Sequence, residues 1–349
     1  MRAPQKAAAV LICLAALAAS ACSCGGAEPT PTPTTSVPQG RIVFTSDRDI
    51  NVSAPVPEVY IMDADGSNQT NLSQNASFDW EPLWSPDASR IAFIAKRDGN
   101  DEIYVMNPDG SGQTNLTNDA AADLEPAWSP DGSRIAFVSD RDGDREVYVM
   151  DADGSDQTRL THSGGNESAP RWSPDGGSIA FVSERDGQAQ VYIMGADGSG
   201  QTNLSNSAGG DSSPRWSPDG GTIAFVSERD GQADIYVMDA DGSDQQRLST
   251  SYKWDWDPLW SPDGSRIVFV SLVEDYTDLF IMDADGSNQA NLTGDSYNDD
   301  SPVWSPDGDW IAYVSWRGCK EIMAIRADGS DRLNVSDRPS WDWQPTWAP

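Results

Sequence analysis

The chain has 349 residues, in which 55 Asp and Glu stand against 23 Lys and Arg, for a formal net charge of −32. So acidic a chain has little with which to neutralise phosphates, which excludes nucleic acid as a natural partner; cations, basic proteins or neutral polymers fit better. The length is enough for a large core.

At the N-terminus, Arg2 and Lys6 precede the apolar run Ala7–Ala19, and the small residues Ala19-Ser20-Ala21 lead to Cys22. The run is too short to cross a membrane. It resembles a bacterial lipoprotein signal, which implies removal of residues 1–21, acylation of Cys22 and an extracytoplasmic protein held to the envelope membrane by its lipid alone. Cys24 is an alternative acceptor, and secretion without a lipid is the alternative fate. Residues 23–38, SCGGAEPTPTPTTSVP, hold almost no apolar side chains and read as an extended tether. The expected organisation is a signal peptide over 1–21, a tether over 22–39 and a globular body over 40–349. Cys319 is the one cysteine of that body, so no disulfide framework is expected within it.

From there the chain repeats. Trp84, Trp128, Trp172, Trp216, Trp260, Trp304 and Trp347 follow one another at 44 residues, the last step being 43. A period of this size marks one supersecondary unit per repeat. Each unit opens on Trp-Ser-Pro-Asp-Gly, changed to Trp-Ser-Pro-Asp-Ala at Trp84 and shortened to Trp-Ala-Pro at Trp347. Next comes a run such as Ile135-Ala-Phe137-Val138, then a second such as Ile103-Tyr-Val-Met106, ending in Asp-Gly in all seven units, from Asp65-Gly66 to Asp328-Gly329. A short element centred on Leu72, Leu116, Leu160 or Leu204 closes the unit. Strand-like runs joined by Asp-Gly turns describe a four-stranded antiparallel meander. Such a sheet is too small to stand alone, and large apolar residues on both faces suit packing as propeller blades.

The order of elements predicts how the ring closes. The body opens at Arg41-Ile42-Val43-Phe44, a second-strand sequence, and ends at Pro345-Thr346-Trp347, a first strand. Together they complete one blade, counted as the first, and the expectation is an all-β, seven-bladed propeller. The Trp-Ser-Pro-Asp-Gly, Ile-Ala-Phe and Ile-Tyr-Val-Met-Asp-Ala-Asp-Gly series closely resembles the WD40-like repeats of TolB-type β-propellers, from Arg41 to Pro349. That resemblance implies a cell-envelope protein with an interaction surface. TolB-type proteins of the Tol-Pal system carry an α/β domain ahead of the propeller, where this sequence has the tether. Related propellers also precede the hydrolase domain of prolyl-oligopeptidase-type peptidases, but no Gly-x-Ser-x-Gly elbow occurs.

Catalytic chemistry has little to build on. His162 is the only histidine, too few for the histidine-held metal of the pectate-fragment lyases that some TolB-like propellers resemble, and unsupported as a catalytic base. The Asp-Ala-Asp-Gly turns lack the further oxygen ligands of a calcium loop. No metal, cofactor or enzymatic activity is expected.

Candidate binding residues lie in the loops. Five residues before each Trp of the first strand stands an acid (Asp79, Asp123, Glu167, Asp211, Asp255, Asp299 and, in the last unit, Asp342), and six hairpins carry Arg48, Arg97, Arg141, Arg185, Arg229 or Arg317. Two readings are open: acid–Arg pairs that order the loops, which is preferred, or a carboxylate ring that draws cations to the channel mouth. The departures from the repeat say more. Phe78-Asp79-Trp80, Trp254-Asp255-Trp256 and Trp341-Asp342-Trp343 lead into the second, sixth and first blades, and the seventh has Tyr297 and Trp316. On a closed ring these form one arc, beside the longer first hairpin, Asp49 to Pro57, and the sixth, where Val273 replaces Arg. Exposed aromatics beside carboxylates anchor protein interfaces or stack on sugars. The expected function is a non-catalytic, monomeric envelope-binding protein. The alternatives are a glycan-binding surface lipoprotein and, third, a propeller hydrolase or lyase.

Overall fold

The structure, a computed structural model, describes residues 37–48, 56–249, 253–338 and 340–349. The signal segment, Cys22, Cys24, nearly all of the tether and most of the first hairpin lie outside the described residues.

Each repeat forms four antiparallel strands because its β-branched and aromatic runs are buried on both faces. In the second blade these are Asp79–Trp84, Ile91–Ala95, Glu102–Met106 and Thr114–Asn115. The two middle strands are buried at every position and pair in register, Phe93 opposite Tyr104 and Ile94 opposite Ile103. Seven such sheets make the seven-bladed, all-β propeller that the repeats predict. Its ring closes as the termini imply: Asp342–Trp347 pairs with Arg41–Ser46, placing Ile42 opposite Trp347 and Ser46 opposite Asp342.

The core is divided into seven apolar clusters, each shared by two neighbouring blades. The repeat tryptophans are the seams. Trp172 Nε1 donates to the Ala127 carbonyl at 3.0 Å, and Trp216, Trp260 and Trp304 reach the matching carbonyl of the preceding blade at 3.1 Å. A large apolar ring is thereby buried with its polar edge satisfied. The Asp-Gly turns serve the seams too. Gly154 has φ 87°, and a Cβ on it would stand 2.8 Å from the Leu116 carbonyl oxygen of the blade before. Glycine is needed there for the turn and again for the spacing between blades.

Two findings go beyond the sequence pattern. In the first strand of every blade a bulge adds one residue: Trp80 faces Ile94, but Leu83 faces Ala92. At the bulge Glu81, Glu125, Ala169, Ser213, Asp257, Ser301 and Gln344 hold φ between 50° and 55°, a left-handed conformation that residues other than glycine rarely adopt. The other concerns Cys319, which is buried and disulfide-bonded.

Candidate functional site

The loops ahead of the first strands and the hairpins between second and third strands share one face. Backbone bonds such as Lys96 N–H to the Phe78 carbonyl and Leu272 N–H to the Trp254 carbonyl tie them together. Within this face the acids and arginines pair. Arg97 meets Asp79 at 2.7 Å, Arg48 meets Asp342 at 2.8 Å, Arg141 meets Asp123 at 3.0 Å, Arg185 meets Glu167 at 3.2 Å and Arg229 meets Asp211 at 3.4 Å. Each guanidinium also lies over the Phe and Tyr rings of its own blade, as Arg97 does over Phe93 and Tyr104. Arg97 donates in turn to Gln113, whose amide donates to the Leu72 carbonyl of the preceding blade at 3.0 Å. The network therefore runs from the innermost strand to the neighbouring blade.

All seven acids are fully buried, so the cation-drawing ring at the channel mouth is corrected: the carboxylates are internal. Burial raises the pKa of Asp79, Asp123 and Glu167; Arg97 offsets part of this at Asp79, as do serine hydroxyls and then the arginine at Asp123 and Glu167. In the seventh blade the pairing is broken. Arg317 turns to Asp295 at 2.9 Å, which it shares with Arg332 at 2.5 Å. Asp299, left without that partner, is pushed up to about 6, chiefly by burial. Oxygens of Asp278, Asp295 and Asp299 lie within 4.8 Å of one another. They could offer three ligands to a hard cation, but two guanidinium groups already neutralise Asp295.

The aromatic triplets split by position. Their first residues are exposed: Phe78 at 41%, Trp254 at 49% and Trp341 at 41%, joined by Tyr297 at 39% and Trp316 at 40%. Their middle residues, Asp79, Asp255 and Asp342, are buried in the sheet and do not reach the surface. Their third residues, Trp80, Trp256 and Trp343, are half-buried, and Trp256 packs on the clusters on both sides of its blade. Lys320 joins two rings of the arc, with Nζ 4.3 Å from the Trp316 ring centre and 5.9 Å from that of Trp341. Phe78 and Trp254 flank this pair on neighbouring blades. Tyr276, 41% exposed in the sixth hairpin, belongs to the same face and was missed; the added residues Glu274 and Asp275 beside it were the available signal.

A second constellation was also missed. First strands of adjacent blades touch around the ring, so they line a central channel. Arg171 of the fourth blade feels the charges of Glu81 in the second and Asp257 in the sixth. Such separated blades meet only across the channel, so these side chains share it. Burial and the neighbouring Glu125 push Glu81 up to about 7. Burial and the adjacent Arg171 push Arg215 down to about 9. The signal was in the repeat: Arg171 and Arg215 stand where other blades have Leu83, Ala127, Leu259, Val303 and Thr346.

The family pattern of the TolB beta propeller domain matches residues 26–169 and 162–349, and the chain belongs to that family. TolB from Acinetobacter baumannii is 24% identical over 84% of this chain and 79% of its own, with a TM-score of 0.60. A TolB-type protein from Agrobacterium tumefaciens is 26% identical over 79% of this chain and 98% of its own, with a TM-score of 0.56. An oligogalacturonate lyase from Vibrio parahaemolyticus shares the fold at 14% identity, covering 81% of this chain and 85% of its own at a TM-score of 0.67. No curated protein matches the sequence.

Proposed function

With membership of the TolB β-propeller family as premise, we propose that this chain is a non-catalytic binding protein of the bacterial cell envelope. A lipid on Cys22 anchors it, and its body presents a protein-interaction surface. One observation carries the reading: Phe78, Trp254, Tyr297, Trp316 and Trp341 stand exposed on one face of four consecutive blades. Rings of this kind form the centres of protein interfaces. A glycan-binding surface would set carboxylates beside the stacked rings; Asp300 accepts from Trp316 Nε1 at 3.1 Å, but the burial of Asp79, Asp255 and Asp342 withdraws the acids of all three triplets, which supports a protein partner instead. The catalytic alternative rests on propeller relatives such as the lyase. In this chain the only histidine, His162, is exposed on a loop of the fourth blade, away from the arc.

The test is capture from solubilised envelopes with the full chain and with a Trp254→Ser/Trp341→Ser variant. The variant is expected to keep its melting temperature and to lose roughly thirtyfold in partner affinity, about 2 kcal/mol. Equal capture by both proteins rules the arc out, and a polysaccharide in place of a protein moves the reading to the glycan alternative.

A further inference from the structure

Asp278, Asp295 and Asp299 come from three pieces of chain that meet between the sixth and seventh blades. Asp278 lies on the strand Tyr276–Asp283, Asp295 in the loop after the outermost strand Ala290–Asn291, and Asp299 opens the innermost strand Asp299–Trp304. One oxygen of each lies within 4.8 Å of the others; oxygens that share one calcium ion at about 2.4 Å can stand up to about 4.8 Å apart. Asp278 and Asp299 are buried, and the partly exposed Asp295 opens the group to solvent.

Acids gathered near a surface need no ion; Asp299 sets this group apart. It is fully buried, yet neither carboxylate oxygen has a hydrogen-bond partner. The Ser315 and Thr293 hydroxyls stand near enough to offset part of the cost of burial, but neither completes a hydrogen bond. Among the described residues no Lys or Arg nitrogen lies within 4.0 Å of Asp299 or Asp278. A buried carboxylate left without donors is costly, and native proteins rarely keep one. A second buried oxygen is stranded in the same blade. Tyr313 stands where the other blades have Phe, as at Phe93 and Phe269, and its Oη has no partner; the charges of Asp299 and Asp295 act on it.

The third blade supplies the control, with Glu102, Asp119 and Asp123 in the same three places. There Arg141 closes on Asp123 at 3.0 Å and stands 4.0 Å from Asp119, while the Asp119 N–H and the Thr117 hydroxyl donate to Glu102. In the seventh blade Arg317 and Arg332 both turn to Asp295. Asp278 accepts from the Asn291 amide at 2.7 Å and the Thr293 hydroxyl at 3.2 Å, and Asp299 accepts from nothing. Three carboxylates against two guanidinium groups leave one negative charge unmet, and it falls on Asp299. We propose that Asp278, Asp295 and Asp299 bind one hard cation between the sixth and seventh blades, with the two oxygens of Asp299 as its principal ligands. All the donors are oxygens, which favours calcium, magnesium or sodium over zinc or copper. The proposed function does not depend on this site. The two touch in one loop, where Asp295 Oδ1 accepts the Tyr297 N–H at 3.0 Å, so the ion braces the segment that carries Tyr297.

Calorimetric titration and melting of the chelator-stripped full chain with calcium, magnesium and sodium chlorides, against choline chloride at matched ionic strength, test the proposal. At least one metal ion is expected to bind saturably and to raise the melting temperature, calcium with a Kd of about 0.1–1 mM, as in extracellular modules. The ion that binds distinguishes a divalent site from a monovalent one. Asp299→Asn and Asp278→Asn should each weaken binding about tenfold or more, whereas Asp123→Asn, the matching change in the third blade, should leave it unaltered. Stripped of metal, Asp299→Asn should melt no lower than the parent, because an unpartnered carboxylate has gone, so its loss of binding is not a loss of fold. A response to choline equal to that for every metal ion, or parental binding by both Asp299→Asn and Asp278→Asn, overturns the proposal.

Discussion

The third to fifth blades and the sixth to seventh are built from the same repeat but finish it differently. In the former, Asp123, Glu167 and Asp211 each hold their arginine, and the loops ahead of them are small and polar. In the latter, Val273 stands where the arginine should be, and Arg317 leaves Asp299 for Asp295. The sixth blade extends its hairpin instead, with Arg266–Val273 and Tyr276–Asp283 at eight residues each. In the seventh, Arg332 reaches the Thr293 carbonyl at 2.6 Å, the kind of link that Gln113 provides in the second blade. Trp254, Tyr276, Tyr297 and Trp316 stand exposed in the two blades where the ion pair is lost, whereas Phe78 and Trp341 adjoin intact pairs in the second and first blades, and Arg171 and Arg215 belong to blades that keep it. The sheets and seams are alike on both sides, so the apolar seams define the fold and the acid–Arg pair is one replaceable way of ordering the loops above them.

The largest expected break in this comparison comes from Arg141→Ala in the third blade. It leaves Asp123 buried without its counter-charge, with the Ser139 hydroxyl as its remaining side-chain partner, and should destabilise the protein by about 3 kcal/mol in chemical denaturation. A loss under about 1 kcal/mol would show that the pairs are dispensable on the regular side as well. The seventh blade should respond in the opposite direction, because Asp299 already lacks its arginine. Its pKa, raised to about 6, means that the folded state binds the proton more tightly than the unfolded one. Stability therefore falls as pH rises from about 4 to 6, and Glu81, pushed up to about 7, extends the fall toward neutrality. Asp299→Asn should gain about 3 kcal/mol at pH 8 and nothing at pH 3; a pH-independent effect would assign the change to packing. The smallest contrast lies within one triplet. Trp256→Ser should lower stability by about 2 kcal/mol, since that ring packs on two seams. Trp254→Ser should change it by about 0.5 kcal/mol or less. Equal melting of the two variants would erase the division of labour between neighbouring aromatics.

Much of this was legible in the sequence. The tryptophan period gave the blades, and the order of elements at the two ends predicted the closing sheet that pairs Ile42 with Trp347. Acid–Arg pairing was the preferred of two readings and holds in five blades, although Arg317 leaves Asp299 for Asp295, and the aromatic arc was placed on one face. What escaped was the direction of side chains. Sequence reasoning grouped Phe78, Asp79 and Trp80 as one surface, while the strand sends the first to solvent, buries the second and half-buries the third. Trp256 was grouped likewise, although it lies in the packing between blades.

By itself the sequence determined the number of blades, their strand order and their closure, because a period of 44 residues and the pattern of apolar runs allow one way of burying both faces of each sheet. Only the tertiary structure decided which groups meet across the ring. Arg171, Glu81 and Asp257 come from separate repeats and carry no mutual spacing that a reader could recognise. They share a channel because seven innermost strands surround one axis. A repeat sets the interactions of each blade with its neighbour, but the encounter at the centre arises only when the circle closes.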